Sequence, residues 1–176
     1  MPTYPPLETL GKRIMIVGPS NSGKSTLARA IGNRLDIPAI HIDLLRHLPN
    51  TDWQERPTAE FHALHDHAIL APAWVMEGNY SSIMPQRFDR ATGVIILDDH
   101  HLPRLARYFR RTLFQRDRAG GLDGNRDSIK WQMIDWIWTR RHSVKKYREM
   151  TARSGLPNVN CASFSEVKAL YKAWAL

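Results

Sequence analysis

Residues 18–25 read Gly18-Pro19-Ser20-Asn21-Ser22-Gly23-Lys24-Ser25, which matches G-x-x-x-x-G-K-[ST] at every fixed position. The apolar run at residues 14–17 predicts a strand before this segment, and the apolar spacing after it predicts an amphipathic helix from residue 24. The two glycines let consecutive backbone N–H groups point inward, and the start of the helix adds partial positive charge. This segment, called the phosphate loop below, is therefore predicted to bind nucleotide phosphates. An ordinary glycine-rich turn is the alternative.

Two side chains of the phosphate loop suit a nucleotide that is bound with Mg²⁺. Lys24 can reach the β- and γ-phosphates of ATP as a point charge, and the Ser25 hydroxyl can ligate the metal ion that bridges them. ATP and Mg²⁺ are therefore the expected cofactors. The residues expected to bind them here are Gly18, Pro19, Ser20, Asn21, Ser22, Gly23, Lys24, Ser25 and Thr26.

The composition indicates one folded domain that spans residues 1–176. Its apolar runs are too short to cross a membrane, and residues 1–6 lack the charged-then-apolar order of a signal peptide. We therefore expect a cytoplasmic protein without membrane contact. Cys161 is the only cysteine, so it cannot form an internal disulfide, and we expect it to be a core residue.

The net charge of +8 is concentrated in one region of the chain. Residues 102–153 carry 14 Lys or Arg against 5 Asp or Glu, which accounts for the whole excess. Either a nucleic-acid surface or a set of arginines that converge on nucleotide phosphates would explain this distribution. A solvated helix face explains part of it under either interpretation.

Short apolar runs alternate with amphipathic segments, which predicts an α/β fold with a parallel sheet covered by helices. Strands are predicted at residues 13–17, 39–42, 74–77, 94–97 and 158–162. Helices are predicted at residues 24–35, 58–71, 102–118, 128–151 and 165–173. A glycine-rich segment at residues 120–125 separates two of these helices, and its composition is typical of a mobile loop.

Acidic residues end or directly follow three of the predicted strands, at the sheet edge where this kind of fold binds ligands. Asp43 follows the second strand and would face the same crevice as Lys24, although a helix cap is the alternative. Glu77 ends the third strand, and Asp98 follows the fourth. Either Glu77 or Asp98 could support the Mg²⁺ shell.

Arginine suits phosphate oxygens because its planar guanidinium donates two parallel hydrogen bonds. An exposed charge is the alternative for any one of them. The candidates are Arg56, Arg87, Arg107, Arg111, Arg116, Arg118 and Arg126.

The chain resembles the adenylate-kinase-like P-loop kinases, and more closely the small subgroup of DNA-topology-modulation-type proteins. The resemblance covers most of the chain. The subgroup usually has aspartate where this chain has Glu77. The residues that carry the resemblance are G-P-S-N-S-G-K-S-T, His41-Ile42-Asp43, Trp53 with Arg56, Trp74-Val75-Met76-Glu77-Gly78-Asn79-Tyr80, Val94-Ile95-Ile96-Leu97-Asp98, Arg107 with Arg111, and Ser163-Phe164-Ser165-Glu166-Val167.

The resemblance implies a three-layer α/β/α fold with five parallel strands and a short lid near residues 112–127. It implies that Arg107 stacks on the adenine of ATP and that Arg111 reaches phosphates. Lid arginines would clamp the transferred group, and Asp43 would hold the hydroxyl of the acceptor. The residues given these lid roles are Arg116, Arg118 and Arg126.

The expected function is therefore transfer of the ATP γ-phosphoryl to a small acceptor, either a nucleotide or a hydroxylated metabolite. The alternative is a nucleotide-dependent nucleic-acid-binding protein with slow ATPase activity. We favour the kinase because the basic region lacks interleaved aromatic residues and the chain contains no DNA-reading motif.

Overall fold

The computed structural model describes residues 4–98 and 144–176 and places five parallel strands in the order β2-β3-β1-β4-β5. The strands are β1 Arg13–Val17, β2 Ala39–His41, β3 Trp74–Glu77, β4 Gly93–Leu97 and β5 Asn158–Cys161. The described α-helices are α1 Lys24–Leu35, α2 Ile42–Arg46, α3 Thr58–Ile69, α4 Met84–Arg90, α5 Val144–Ser154 and α6 Phe164–Ala173. A 3-10 helix at Leu7–Leu10 precedes β1.

Helices cover both faces of the sheet, so its central strands are buried on both sides. Ile14 and Ile16 of β1 face a core that includes α1, α6 and the 3-10 helix. Met15 and Val17 face the other core, to which α2, α3, α4 and α5 contribute. Alternate residues of one strand therefore enter different cores, and β1 is apolar at nearly every position for this reason. The predicted three-layer α/β/α architecture with five parallel strands is confirmed.

The predicted strands agree with the observed ones to within one residue at each end. The second prediction was wrong at its last position, because Ile42 is the first residue of α2 and not the end of β2. Ile42 is fully buried against the second core, which the turn into α2 makes possible. The helix predicted at residues 58–71 ends at Ile69.

Three short elements had no counterpart in the sequence predictions: the 3-10 helix, α2 and α4. The predicted helix at residues 102–118 lies outside the described residues. So does the larger part of the helix predicted at residues 128–151, of which α5 is the described end.

Candidate active site

The phosphate loop joins the end of β1 to the start of α1, at the centre of the sheet. Gly18 has a φ of 150° and Gly23 a φ of 94°, and Asn21 between them is also left-handed at 61°. Gly23 is the N-cap of α1, so the first amides of that helix are directed into the loop. These left-handed residues give the segment the tightly turned backbone that the motif predicts.

Lys24 and Ser25 occupy the first turn of α1. The Lys24 Nζ donates a hydrogen bond to the carbonyl oxygen of Pro19 at 2.9 Å, which folds the side chain back across the loop. The Ser25 hydroxyl donates to Oε1 of Glu77 at 2.9 Å. The predicted phosphate-binding lysine and metal-binding hydroxyl therefore lie on the same turn, beside a carboxylate from β3.

Glu77 is a buried carboxylate at the end of β3. His41 Nδ1 lies 2.9 Å from Glu77 Oε1, the same oxygen that accepts the hydrogen bond from Ser25. In the tautomer that carries a proton on Nδ1, His41 donates to this oxygen as well. Burial by itself would raise the pKa of Glu77. This effect is outweighed by the hydrogen bond from His41, by the nearby charges of Lys24 and His41, and by the hydrogen bond from Ser25. The pKa of Glu77 is therefore lowered, and the carboxylate is ionised at neutral pH.

The donors at this position fit Mg²⁺, which prefers carboxylate and hydroxyl oxygens and completes its shell with phosphate and water. Of the two carboxylates that the sequence left as alternatives, Glu77 is the one beside Ser25. Asp98 is instead paired with Arg148 at 2.7 Å. Within residues 4–98 and 144–176, no group of three or more His, Cys, Asp or Glu side chains could hold a metal ion.

Asp43 lies in the first turn of α2, near the carboxyl end of the edge strand β2. His41, not Asp43, is the N-cap of this helix, so the helix-cap alternative is not what the structure shows. The Tyr80 hydroxyl donates to Asp43 Oδ1 at 2.7 Å. Burial, together with the adjacent Asp43 charge, raises the pKa of Tyr80, which keeps the phenol protonated as the donor.

Arg46, on the same helix as Asp43, and Arg56 of the following segment are both engaged by carboxylates. Arg46 pairs with Glu55, donates to the Arg56 carbonyl at 3.0 Å and lies 5.3 Å above the Phe61 ring. Arg56, a candidate for phosphate contact, pairs with Glu60 at 2.6 Å. The segment between α2 and α3 is thus held to both helices by charge-assisted hydrogen bonds.

Arg87 was also a candidate for phosphate contact, and the structure gives it a different environment. Its side chain is fully buried on α4, where Nη1 donates to the Gly78 carbonyl at 2.7 Å and Nη2 to the Asn79 carbonyl at 2.5 Å. Burial lowers its pKa to about 10, so the guanidinium remains charged at neutral pH. Sequence reasoning missed this role because the sequence does not distinguish a buried arginine from an exposed one.

The remaining predicted site residues lie outside the residues that the structure describes. They are Arg107, Arg111, Arg116, Arg118 and Arg126, together with the predicted lid at residues 112–127. Their roles stay predictions, as does the assignment of all 176 residues to one domain.

Known proteins that are similar to this chain were found by structure and not by sequence. No protein-family model matches the chain, and no curated protein matches it in sequence. A gluconokinase from Sinorhizobium meliloti 1021 superposes with a TM-score of 0.57 at 16% identity, covering 94% of this chain and 91% of that one. The fold is that of the P-loop kinases.

Two shikimate kinases have the same fold. The enzyme from Bacteroides thetaiotaomicron gives a TM-score of 0.50 at 18% identity, with 94% of this chain and 99% of that one covered. The enzyme from Acinetobacter baumannii, solved in complex with shikimate, gives 0.51 at 17% identity, with 94% of both chains covered. The resemblance to the DNA-topology-modulation subgroup stays a prediction.

Among the described residues, none of the helices combines the length and the apolar character that a membrane span requires.

Proposed function

We propose that the protein is an ATP-dependent, Mg²⁺-dependent kinase that phosphorylates a hydroxyl group of a small molecule. The observation that carries the proposal is the contact between Ser25 and the ionised Glu77, beside Lys24 on the same turn of the phosphate loop. A glycine-rich turn with only a structural role needs neither a buried charged carboxylate nor a hydroxyl directed at it.

On this proposal, the loop amides and Lys24 bind the β- and γ-phosphates, and Ser25 and Glu77 hold the metal ion directly or through water. Bound Mg²⁺ would neutralise phosphate charge as it develops during transfer. Asp43 Oδ1 is occupied by Tyr80, while Oδ2 accepts no hydrogen bond from the described residues. Oδ2 would accept the hydroxyl proton of the acceptor and orient its oxygen for attack on the γ-phosphorus.

For the acceptor we favour a small hydroxylated metabolite over a nucleotide. The neighbours in structure are named as a gluconokinase and shikimate kinases, whose named substrates are hydroxy acids. Arg46, on the same helix as Asp43, is paired with Glu55, and Arg56 is paired with Glu60. A nucleotide acceptor would therefore need its phosphate neutralised by other residues.

A screen for ATP consumption tests the proposal. Nucleoside monophosphates, nucleosides and small polyols and hydroxy acids are offered with Mg²⁺ and ATP, and phosphorylated product is identified by mass spectrometry. Lys24→Ala is the control and should lower turnover by orders of magnitude while the fold is retained, since Lys24 is not part of either core. Equal ATP affinity and turnover in Lys24→Ala would refute the kinase proposal.

The nucleic-acid alternative predicts DNA binding that persists at moderate salt and changes with ATP. Most of the basic excess on which it depends falls in residues 102–143, outside the described residues. The same protein preparation can be tested for both activities.

A further inference from the structure

The turn at residues 78–80 contacts both halves of the proposed site. It follows β3 and places one polar side chain on the phosphate loop and another on Asp43. We propose that this turn, held by Arg87, is a positioning bridge that fixes the phosphate loop relative to the Asp43 carboxylate. The proposal rests on the proposed function where it treats Asp43 as the acceptor-binding group.

One end of the bridge is a two-way contact between Asn79 and Gly18. The Gly18 amide donates to Asn79 Oδ1 at 3.2 Å, and Asn79 Nδ2 donates to the Gly18 carbonyl at 2.9 Å. A side-chain amide that pairs with both polar groups of one residue restrains its rotation as well as its position. Asn79 thus holds the first residue of the phosphate loop.

The other end is Tyr80, whose hydroxyl donates to Asp43 Oδ1 at 2.7 Å. The Tyr80 ring also packs on Phe61 of α3, with the ring centroids 5.3 Å apart. The hydroxyl is therefore held by packing, and it selects one orientation of the Asp43 carboxylate.

Arg87 holds the middle of the bridge. The two terminal nitrogens of its guanidinium donate to the carbonyls of Gly78 and Asn79. Because the guanidinium is rigid and planar, the two carbonyls are held in a fixed relative position. Gly78 has a φ of 127°, and a Cβ atom on it would lie 3.0 Å from Cβ of Ile42 in α2. Ile42 precedes Asp43, so the turn also packs directly on the helix that carries the carboxylate.

This arrangement matters for phosphoryl transfer because the attacking oxygen and the γ-phosphorus must approach in line. A displacement of about 1 Å at the reacting atoms costs roughly a hundredfold in rate. Asn79, Tyr80 and Arg87 are positioning residues on this proposal, since they act on the reacting groups through the phosphate loop and Asp43.

Hydrogen exchange measured by mass spectrometry tests the bridge without any need for turnover. In the free protein, Arg87→Lys should accelerate exchange about tenfold in the peptides that cover residues 18–25 and 42–47, because two hydrogen bonds to the turn are weakened. Exchange in β1 and β4 should be unchanged. Arg90→Lys, the same change at an exposed position of α4, is the control and should alter neither peptide.

Addition of ATP then tests transmission along the bridge. In the unmodified protein, ATP should slow exchange in residues 42–47 as well as in the phosphate loop. In Asn79→Ala and in Tyr80→Phe, protection of residues 42–47 should be lost while protection of the loop remains. If residues 42–47 stay protected in both variants, the proposal is overturned. It is also overturned if Arg87→Lys accelerates exchange in only one of the peptides 18–25 and 42–47, or in the whole sheet.

The kinetic counterpart uses the acceptor found in the screen. Tyr80→Phe should lower kcat at least about tenfold with unchanged ATP affinity. If the protein binds no ATP or no acceptor is found, only the proposed function is refuted. The Arg87→Lys exchange measurement on the free protein still decides whether the bridge exists. If Arg87→Lys does not fold, the two ATP-protection variants decide it.

Discussion

Gly18 lies so close to Leu97 that a Cβ atom on Gly18 would be 2.3 Å from the Leu97 carbonyl oxygen. The first residue of the phosphate loop is therefore packed directly against the end of β4. A Cβ atom on Gly23, the other fixed glycine of the motif, would meet no described atom within 4 Å beyond its chain neighbours and its own helix backbone. The two glycines of one motif are thus required for different reasons, contact in the first case and backbone conformation in the second.

We expect Gly18→Ala to be more destabilising than Gly23→Ala. An alanine at position 18 would have a strained φ and would also force the phosphate loop away from β4. An alanine at position 23 adds only the cost of a left-handed residue, about 1–2 kcal/mol. Chemical denaturation of both variants measures the difference. Equal losses of unfolding free energy would show that the loop moves away from β4 without cost.

Glu77→Gln should remove most of the Mg²⁺ dependence of ATP binding. The amide keeps the size of the side chain and an oxygen that can accept from Ser25, but it loses the charge that attracts the metal. Calorimetric titration with ATP should show a tenfold or greater loss of affinity in Mg²⁺ and little loss in EDTA, as an order-of-magnitude expectation.

Asp98→Asn is the matched control for Glu77→Gln, since Asp98 is paired with Arg148. It should leave the Mg²⁺ dependence unchanged. If Asp98→Asn abolishes that dependence and Glu77→Gln does not, the metal assignment moves to Asp98.

Asp43→Asn should preserve ATP affinity and lower phosphoryl transfer by about 10²–10⁴-fold, the usual contribution of a general base. The amide retains the hydrogen bond from Tyr80 but cannot take a proton from the acceptor. Calorimetry and steady-state kinetics separate the two effects. A loss of Mg²⁺ or ATP affinity would instead place Asp43 in the metal shell.

The stability of the protein should fall with rising pH between about pH 9 and pH 11 partly because of Cys161. Burial raises the pKa of its thiol from 9.0 to about 11. In this interval the unfolded chain has lost the thiol proton and the folded chain has kept it, so the unfolded state binds fewer protons and alkali favours unfolding.

Cys161→Ala should reduce this slope by at most about 1.4 kcal/mol per pH unit, the value for one proton. Denaturation curves at several pH values measure it. Identical slopes for the two proteins would mean that the folded thiol ionises as readily as the unfolded one.

The three inner strands β1, β3 and β4 were predictable because they are short, largely apolar runs, and burial on both faces leaves little choice of residue there. The edge strands β2 and β5 are only partly buried. The helices α2 and α4 were not predictable, because they span 5 and 7 residues and are too short to show a periodicity. Their buried residues, Ile42 and Met84, are set by packing on the second core. Such contacts are not visible in a linear sequence.

The candidate site was predictable only in part. The motif predicted Lys24 and Ser25 as site residues, and the rule that ligands bind at strand ends left Glu77 and Asp98 as alternatives. The pairing of His41 with Glu77 depends on β2 lying beside β3. The strand order supplies that information, since His41 and Glu77 are register partners. The role of Arg87 could be found only from the tertiary structure, because the residues next to it in the sequence do not indicate which carbonyls its side chain contacts.

The position of β2 at the margin of the sheet has a consequence for the evolution and redesign of this protein. The strand is 3 residues long and only half-buried, and it leads into Asp43, whereas the phosphate loop leaves the central strand between two neighbours. Ile42 is fully buried, but none of residues 44–56 is, so substitutions in that segment disturb little of the core. On the proposed function, acceptor preference would diverge at this edge while nucleotide use is retained, and directed evolution toward new acceptors is best begun at residues 44–56.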